Sequence, residues 1–192
     1  MFGDPHLVTL DLHKYTFNGY GEFVLIETID DSFTVQGRMV EATTNSTLNI
    51  SSTGTIFSAL VAEESHSDTV QLQLDPLIGI RTLVNEERID FSDIAEQEFN
   101  NVTVADLGNR TITATFSSGA FLKVQEENGI ISVLIVSLPS SYRAKTRGLM
   151  GNYNGDKSDD LIPRGRNESL PLNATLRDIH EQFGLTCEIT QC

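Results

Sequence analysis

The sequence predicts a mainly β fold, an antiparallel β-sandwich with two short helices near the C-terminus. Short apolar runs alternate with polar residues at a period of two, which is typical of half-buried strands. Turn residues separate these runs at short intervals, as they do in sandwich proteins. No helical periodicity of useful length occurs in residues 1–138. With 192 residues, of which 39% are hydrophobic, the chain is long enough to bury a sizeable core within one domain.

The first half of the chain contains seven apolar or alternating runs that predict strands. Residues 33–40 show the alternation most clearly, and Pro76 ends a later run. The polar stretch 41–53 and the acidic stretch 90–101 are interpreted as loops. The predicted strands cover residues 7–10, 15–17, 22–27, 33–40, 54–63, 69–74 and 80–84.

From Val102 onward the sequence predicts a meander of antiparallel strands. Residues 111–116 alternate apolar residues with threonine. After a Ser-Ser-Gly turn, residues 121–124 are predicted to form the next antiparallel strand. Asn128-Gly129 is a strong signal for a two-residue hairpin before a strand over 130–136.

Two helices are predicted after residue 138. The first covers residues 140–147, begins after Pro139 and ends in a basic last turn before Gly148. The second covers residues 176–183, with Thr175 and Asp178 at capping-box spacing. Leu176, Ile179 and Phe183 are predicted to form its apolar face, and Gly184 is predicted to end it.

The charge of the chain excludes several classes of partner. Thirteen Lys and Arg residues against 27 Asp and Glu residues give a net charge of -14. Nucleic acid and anionic membrane surfaces both require a positive face, so neither is expected as a partner. No catalytic motif is present, and the four histidines are scattered along the chain, which predicts a non-enzymatic protein.

Six Asn-x-Ser/Thr tripeptides indicate the secretory pathway, because so many in so short a chain exceed what chance explains. The two cysteines, Cys187 and Cys192, lie together near the C-terminus. A disulfide is permitted outside the cell, either between these two or to a neighbouring module. The candidate glycosylation sites are Asn45, Asn49, Asn101, Asn109, Asn167 and Asn173.

A run of oxygen-bearing side chains at alternate positions begins at Asn152. Hard cations such as Ca²⁺ bind six to eight oxygen ligands, and a loop with donors at every second position can curl around such an ion. The alternative is a polar surface turn, because the same residues are common in turns. The loop is not an EF-hand, since its twelfth position is Pro163 rather than Glu. The side chains concerned are those of Asn152, Asn154, Asp156, Ser158, Asp159 and Asp160.

Two motifs at opposite ends of the chain identify a resemblance. Residues 148–161, GLMGNYNGDKSDDL, resemble the closing signature of the von Willebrand factor type D domain. Residues 3–11 and 15–19 resemble its opening signature. The resemblance covers roughly residues 3–185, so we expect a type D domain over residues 1–185 and a tail or the start of another module over 186–192. The scarcity of cysteine resembles the type D domains of membrane mucins and related adhesion proteins.

The resemblance implies a calcium site that joins the two ends of the domain. In such domains an acidic residue of the opening motif reaches the closing loop, and Asp11 stands at that position. Leu12 follows where the family usually has Gly, and Asn154 is often Asp in the family. The ligands implied are Asp11, Asn152, Asn154, the backbone carbonyl of Asp156, Asp159 and Asp160.

The Asp4-Pro5 bond has two interpretations. An Asp carboxyl can attack its own backbone carbonyl, and the proline nitrogen is a good leaving group because its amide is tertiary. Some proteins that resemble this one are cleaved at this bond, and His6 could assist the proton transfer. The other interpretation is that Asp4-Pro5 only shapes the entry to the first strand.

These observations favour a structural and adhesion module of a mucin-like mosaic glycoprotein, stabilised by Ca²⁺. Its location would be extracellular, secreted or in the ectodomain of a membrane protein, and the chain is expected to be part of a longer protein. Its partners would be neighbouring domains, other extracellular glycoproteins or further copies, without direct membrane contact. The alternative is an acidic matrix component associated with calcium mineral or mucus gel.

Overall fold

The computed structural model describes residues 5–42 and 54–189 and is mainly β, as the sequence predicts. Asp4, Asn45, Asn49 and Cys192 lie outside the described residues. In chain order the strands are β1 His6–Val8, β2 Lys14–Thr16, β3 Gly21–Thr28, β4 Phe33–Glu41, β5 Thr55–Glu64, β6 Val70–Asp75, β7 Gly79–Val84, β8 Glu87–Arg88, β9 Glu96–Phe99, β10 Val102–Asp106, β11 Thr111–Phe116, β12 Phe121–Glu127, β13 Ile130–Ser137 and β14 Thr146–Arg147.

Two antiparallel sheets enclose the core. The larger has the order β14-β3-β4-β5-β6-β7-β8, and the smaller has the order β13-β12-β11-β10-β9. Phe33 of β4 and Phe116 of β11 meet edge to face across the two sheets, with ring centroids 5.4 Å apart. Because side chains alternate between the two faces of a strand, the apolar set of each strand faces this shared core. The predicted sandwich is confirmed.

The predicted hairpin between β12 and β13 is also confirmed. Asn128 and Gly129 connect the two strands and have φ angles of 56° and 82°. Two consecutive positive φ angles give a turn of the type I′ kind, whose twist matches that of the flanking strands.

The helix predicted over 140–147 is wrong beyond its first turn. A 3-10 turn covers Ser140–Tyr142, and Arg143 already has extended backbone angles. Ala144 takes a φ of 55° and donates its N–H to the carbonyl of Tyr153, which turns the chain away from helical geometry. Residues 146 and 147 then pair with β3 as a short strand.

The sequence predicts a loop over the acidic stretch 90–101, and this prediction is wrong in part because the stretch contains strand β9, Glu96–Phe99. This strand pairs with β10 and forms one edge of the smaller sheet. Charged residues are common on such edges because they discourage pairing with other chains.

The C-terminal helical segment begins as predicted but ends later. It runs through Leu176–Asp178, Ile179–Phe183 and Gly184–Cys187 as successive α, π and 3-10 turns. The capping box between Thr175 and Asp178 is present. Ile179 and Phe183 are buried, whereas Leu176 is 66% exposed and does not join the apolar face. Within residues 5–42 and 54–189, no helix has the length and apolar character needed to cross a bilayer.

Gly184 does not end the helical segment; instead it allows a close approach. A Cβ atom at this position would lie 2.1 Å from the ring of Phe17. The helical segment therefore packs tightly against the residue that follows β2.

Strands β1 and β2 form a separate two-stranded hairpin with the register Leu7 opposite Tyr15. Both of these side chains are buried in the common core, together with Phe17. The turn of this hairpin contacts the loop that follows β14, and these two segments form the candidate site.

Candidate metal centre

The loop over residues 148–160 (the closing loop) is held against strand β3. Leu149 N donates to the carbonyl of Val24 at 3.1 Å, and Met150 N donates to the carbonyl of Leu25 at 2.8 Å. Gly148 has a φ of 114°, and a Cβ there would lie 2.8 Å from the carbonyl oxygen of Leu25. Only glycine permits both this backbone angle and this approach.

The alternating polar side chains of the closing loop shape their own backbone. Asn152 Oδ1 accepts the N–H of Asn154 at 3.2 Å, and Asn154 Oδ1 accepts the N–H of Asp156 at 2.7 Å. Asp156 Oδ1 likewise accepts the N–H of Ser158 at 2.9 Å. These are side-chain turns of the Asx type, which by themselves agree with the alternative of a polar surface turn.

Asp11 contacts the closing loop, although its partner Asn154 lies 143 positions later in the chain. Its Oδ2 accepts the N–H of Asn154 at 2.8 Å, and its Oδ1 accepts the N–H of Gly155 at 2.9 Å. Leu12, which stands where the family usually has Gly, keeps the turn by adopting a φ of 71° with its side chain exposed. The opening and closing motifs therefore meet in space.

The carboxylate of Asp159 accepts hydrogen bonds from both asparagine side chains of the closing loop. Asn152 Nδ2 donates to Asp159 Oδ1 at 2.9 Å, and Asn154 Nδ2 donates to both carboxylate oxygens, at 3.1 and 2.9 Å. A half-turn of each terminal amide exchanges its nitrogen and oxygen, so the same side chains can present oxygen atoms to a cation.

Asp160 is the buried carboxylate of the group, with 2% of its surface exposed. Its Oδ2 accepts the hydroxyl of Thr9 at 2.6 Å, and its Oδ1 accepts the N–H of Asn152 at 3.3 Å. Burial raises the pKa of Asp160 above the ordinary value, because desolvation destabilises the charged form, and the neighbouring carboxylate of Asp11 adds to this effect.

No Lys or Arg among the described residues forms an ion pair with the carboxylates of this site, and the one basic side chain that acts on Asp160 is His13, whose charge lowers the pKa of that carboxyl. Asp11, Asp159 and Asp160 lie together, and none of the ion pairs within residues 5–42 and 54–189 includes them. The guanidinium of Arg143 approaches the closing loop but lies over the ring of Tyr153, 5.8 Å from its centroid. An excess of carboxylate and amide oxygen suits a hard divalent cation such as Ca²⁺ in donor chemistry.

The side chains are not yet arranged as metal ligands. Among the described residues, no group of three His, Cys, Asp or Glu side chains is disposed to hold a metal ion. The carboxylate of Asp156 accepts the hydroxyl of Ser158 at 2.7 Å. The backbone carbonyl of Asp156, which is the predicted ligand, accepts the N–H of Asp159 at 3.4 Å. Binding of Ca²⁺ would therefore require the amides to turn and the N–H bonds to Asp11 and Asp159 to be rearranged.

The remaining predicted site residues lie elsewhere. His6 Nδ1 is 2.9 Å from the Thr16 hydroxyl, and the carbonyl of Pro5 accepts the N–H of Phe17 at 3.3 Å. Cys187 is buried and forms no disulfide with any described residue, and burial raises the pKa of its thiol to about 11. Cys192 lies outside the described residues, so the pairing of the two cysteines stays a prediction. The described glycosylation candidates are all exposed: Asn101, Asn109, Asn167 and Asn173.

Sequence reasoning missed three residues that fasten the hairpin to the closing loop. Thr9 bonds to Asp160, Leu10 N donates to the carbonyl of Met150 at 2.8 Å, and the Tyr15 hydroxyl donates to the carbonyl of Leu149. Burial raises the pKa of Tyr15 well above its ordinary value, so this phenol stays protonated as a donor. The signal in the sequence was that all three residues fall within the opening signature, residues 3–11 and 15–19.

Comparison with known proteins gives consistent matches over most of the chain. The family model of the von Willebrand factor type D domain matches residues 1–165. The chain is 34% identical to Protein mesh of Bombyx mori over 99% of its own length, and 33% identical to human Mucin-4 over 98%. It is 32% identical to human Sushi domain-containing protein 2 over 83%. It spans 13%, 4% and 19% of these three proteins, respectively.

Proposed function

Because the chain belongs to the von Willebrand factor type D domain family, we propose that it is a non-enzymatic structural and adhesion module of a larger extracellular glycoprotein. The mucin among its relatives supports this proposal, as do the exposed glycosylation candidates. Its partners would be neighbouring domains of the same protein or other extracellular glycoproteins. Calcium would stabilise the module by joining its first hairpin to its closing loop.

The observation that carries the calcium proposal is the meeting of Asp11 with the closing loop, where Asp11 forms no ion pair with any described residue. When bound, the ion would supply positive charge between carboxylates that otherwise repel one another. Asp11 would contribute from the hairpin, and the other ligands would come from one loop. Those ligands are Asn152, Asn154, the carbonyl of Asp156, Asp159 and Asp160.

Thermal unfolding with calcium and with EGTA tests this proposal. A ligand at about 100 times its Kd stabilises the folded state by roughly 2.7 kcal/mol, and for a domain of this size each kcal/mol raises the Tm by about 2–4 °C. We therefore expect calcium to raise the Tm of the wild type by about 5–10 °C under these conditions. Asp11→Asn should lose most of this increase.

Asp106→Asn is the matched control, because Asp106 also accepts a backbone N–H in a turn, from Gly108 at 2.8 Å, but lies outside the closing loop. This variant should keep the full calcium response. Identical melting curves of the wild type in calcium and in EGTA, together with no heat of binding by calorimetry, would reject the calcium site.

Self-cleavage at Asp4-Pro5 is the second part of the proposal. The chemistry of an Asp-Pro bond supports it, since attack of the Asp carboxyl on its own carbonyl expels the proline nitrogen, which must gain a proton as it leaves. Mass spectrometry of a protein with a tag before Met1, incubated at pH 5, should show a fragment that begins at Pro5. Pro5→Ala should remain intact, and a wild type that also remains intact would contradict cleavage.

A further inference from the structure

The hydroxyl of Thr9 is held in one orientation beneath the closing loop. Thr9 is 3% exposed, and its Oγ1 accepts the N–H of His13 at 2.9 Å. The Thr9 backbone is fixed as well, because its N–H donates to the carbonyl of His13 at 2.9 Å. With a backbone donor already on Oγ1, the hydroxyl proton points to Asp160 Oδ2 at 2.6 Å. A carboxylate only accepts, so the direction of this bond is unambiguous.

This bond determines which oxygen of Asp160 faces the closing loop. Oδ2 is occupied by Thr9, whereas Oδ1 receives only the long 3.3 Å bond from Asn152 N among the described residues. Oδ1 lies 2.2 Å from the place where a Cβ of residue 151 would be, so it sits directly against the backbone of Gly151. Oδ1 is therefore the oxygen that the fold presents to the residues of the loop.

We infer that Thr9 is a positioning residue for calcium, which holds the buried carboxylate of Asp160 with Oδ1 towards the ion. The inference rests on the calcium site proposed above and adds a residue from outside the ligand set. Hydrogen bonds that orient ligands commonly change metal affinity 10- to 100-fold when they are removed. The bond also joins positions 151 residues apart, so it ties the orientation of the ligand to the docking of the hairpin.

Calcium titration by calorimetry of four proteins tests the role of Thr9. Thr9→Val keeps the size and branching of the side chain but removes the hydroxyl, and we expect its calcium affinity to fall about 10- to 100-fold. Thr9→Ser restores the hydroxyl and should bind within a few-fold of the wild type. Thr82→Val is the matched control: Thr82 is also 3% exposed, and its hydroxyl has no partner within the described residues. Its calcium affinity should not change.

Melting curves of the same proteins in calcium and in EGTA separate positioning from a purely structural role. If Thr9 positions a ligand, the Tm increase produced by calcium shrinks in Thr9→Val and returns in Thr9→Ser. Equal affinity of Thr9→Val and a calcium-binding wild type overturns this inference but leaves the calcium site intact. A loss of Tm in Thr9→Val that is the same in calcium and in EGTA also overturns it. A wild type that binds no calcium rejects both the site and the role of Thr9.

Discussion

At the scale of single residues, Gly151 shows how closely the closing loop packs on its own carboxylate. Its φ is 84°, and a Cβ there would lie 2.2 Å from Asp160 Oδ1 and 2.7 Å from Asp160 Cγ. Gly129 has a similar φ of 82°, but no atom of the described residues lies within 4 Å of its Cβ position. The two glycines therefore separate the cost of the backbone angle from the cost of the collision.

We expect Gly129→Ala to lower the free energy of unfolding by about 1–2 kcal/mol, the usual cost of left-handed backbone for a residue with a Cβ. Gly151→Ala should lose this amount and a further 1–3 kcal/mol, roughly, because the added methyl group overpacks a buried site. Urea denaturation in EGTA measures both values. Equal losses would show that Asp160 moves aside without cost.

The residues of the site could be predicted only in part. The alternation of oxygen-bearing side chains and the two motifs pointed to the closing loop and to Asp11, and the structure brings these together. Their role as ligands stays a prediction. Thr9 and Tyr15 could not be identified as contacts of the closing loop, since a buried Tyr in a strand and a buried Thr just after one are usually core residues. Their bonds depend on neighbours more than 130 positions away in the chain.

At the scale of structural elements, Glu64 at the end of β5 joins two turns, the one between β11 and β12 and the 3-10 turn before β14. Its Oε2 accepts the hydroxyl of Ser117 at 3.0 Å and the N–H of Ser118 at 3.2 Å. Its Oε1 accepts the hydroxyl of Tyr142 at 2.9 Å, which ties the 3-10 turn before β14 to both sheets. Burial by itself would raise the pKa of Glu64, but the hydrogen bonds from Ser118, Tyr142 and Ser117 outweigh it and lower the pKa below the ordinary 4.5.

This lowered pKa predicts how stability depends on pH. A carboxyl with a lower pKa in the folded state stabilises the protein above its unfolded pKa, and this contribution is lost as the pH falls through the folded pKa. Glu64→Gln should therefore cost about 1–3 kcal/mol at pH 7, as expected for the loss of hydrogen bonds to a buried charge. The difference from the wild type should shrink at pH 3.

Urea denaturation at pH 7 and pH 3 measures this effect, with Glu63→Gln as the control. Glu63 is the exposed neighbour on the same strand, so its substitution should stay within about 0.5 kcal/mol of the wild type at both pH values. A Glu64→Gln deficit that persists unchanged at pH 3 would contradict an ionised Glu64 as the stabilising species.

Local sequence signals predicted elements well where side-chain alternation dominates and poorly where distant contacts decide. The hairpin at Asn128-Gly129 needs only its own two residues, and the prediction was correct. The stretch 140–147 has a helix-like composition, but the bond from Ala144 N to the carbonyl of Tyr153 and the pairing of Thr146 with β3 override it. Strand β9 was missed because acidic residues mask the period of two on an edge strand.

At the scale of the whole molecule, the fold class followed from the sequence, but the pairing of its ends did not follow from alternation alone. Period-two patterns indicate strands without stating which strands become neighbours. Only the resemblance at both ends indicated that residues near position 11 would lie beside residues near 155. The two sheets share one core, so this meeting is set by the sandwich as a whole.

The separate β1–β2 hairpin has a mechanical consequence. It has no strand pairing with either large sheet among the described residues, and it is attached through the packing of Leu7, Tyr15 and Phe17 and a few bonds to the closing loop. Tension that enters through the polypeptide before Pro5 would load these attachments before it reached the long ladders of the sandwich. The hairpin would then detach first and carry Asp11 away from the closing loop. A pulling force would therefore separate Asp11 from the other proposed calcium ligands before the sandwich unfolds.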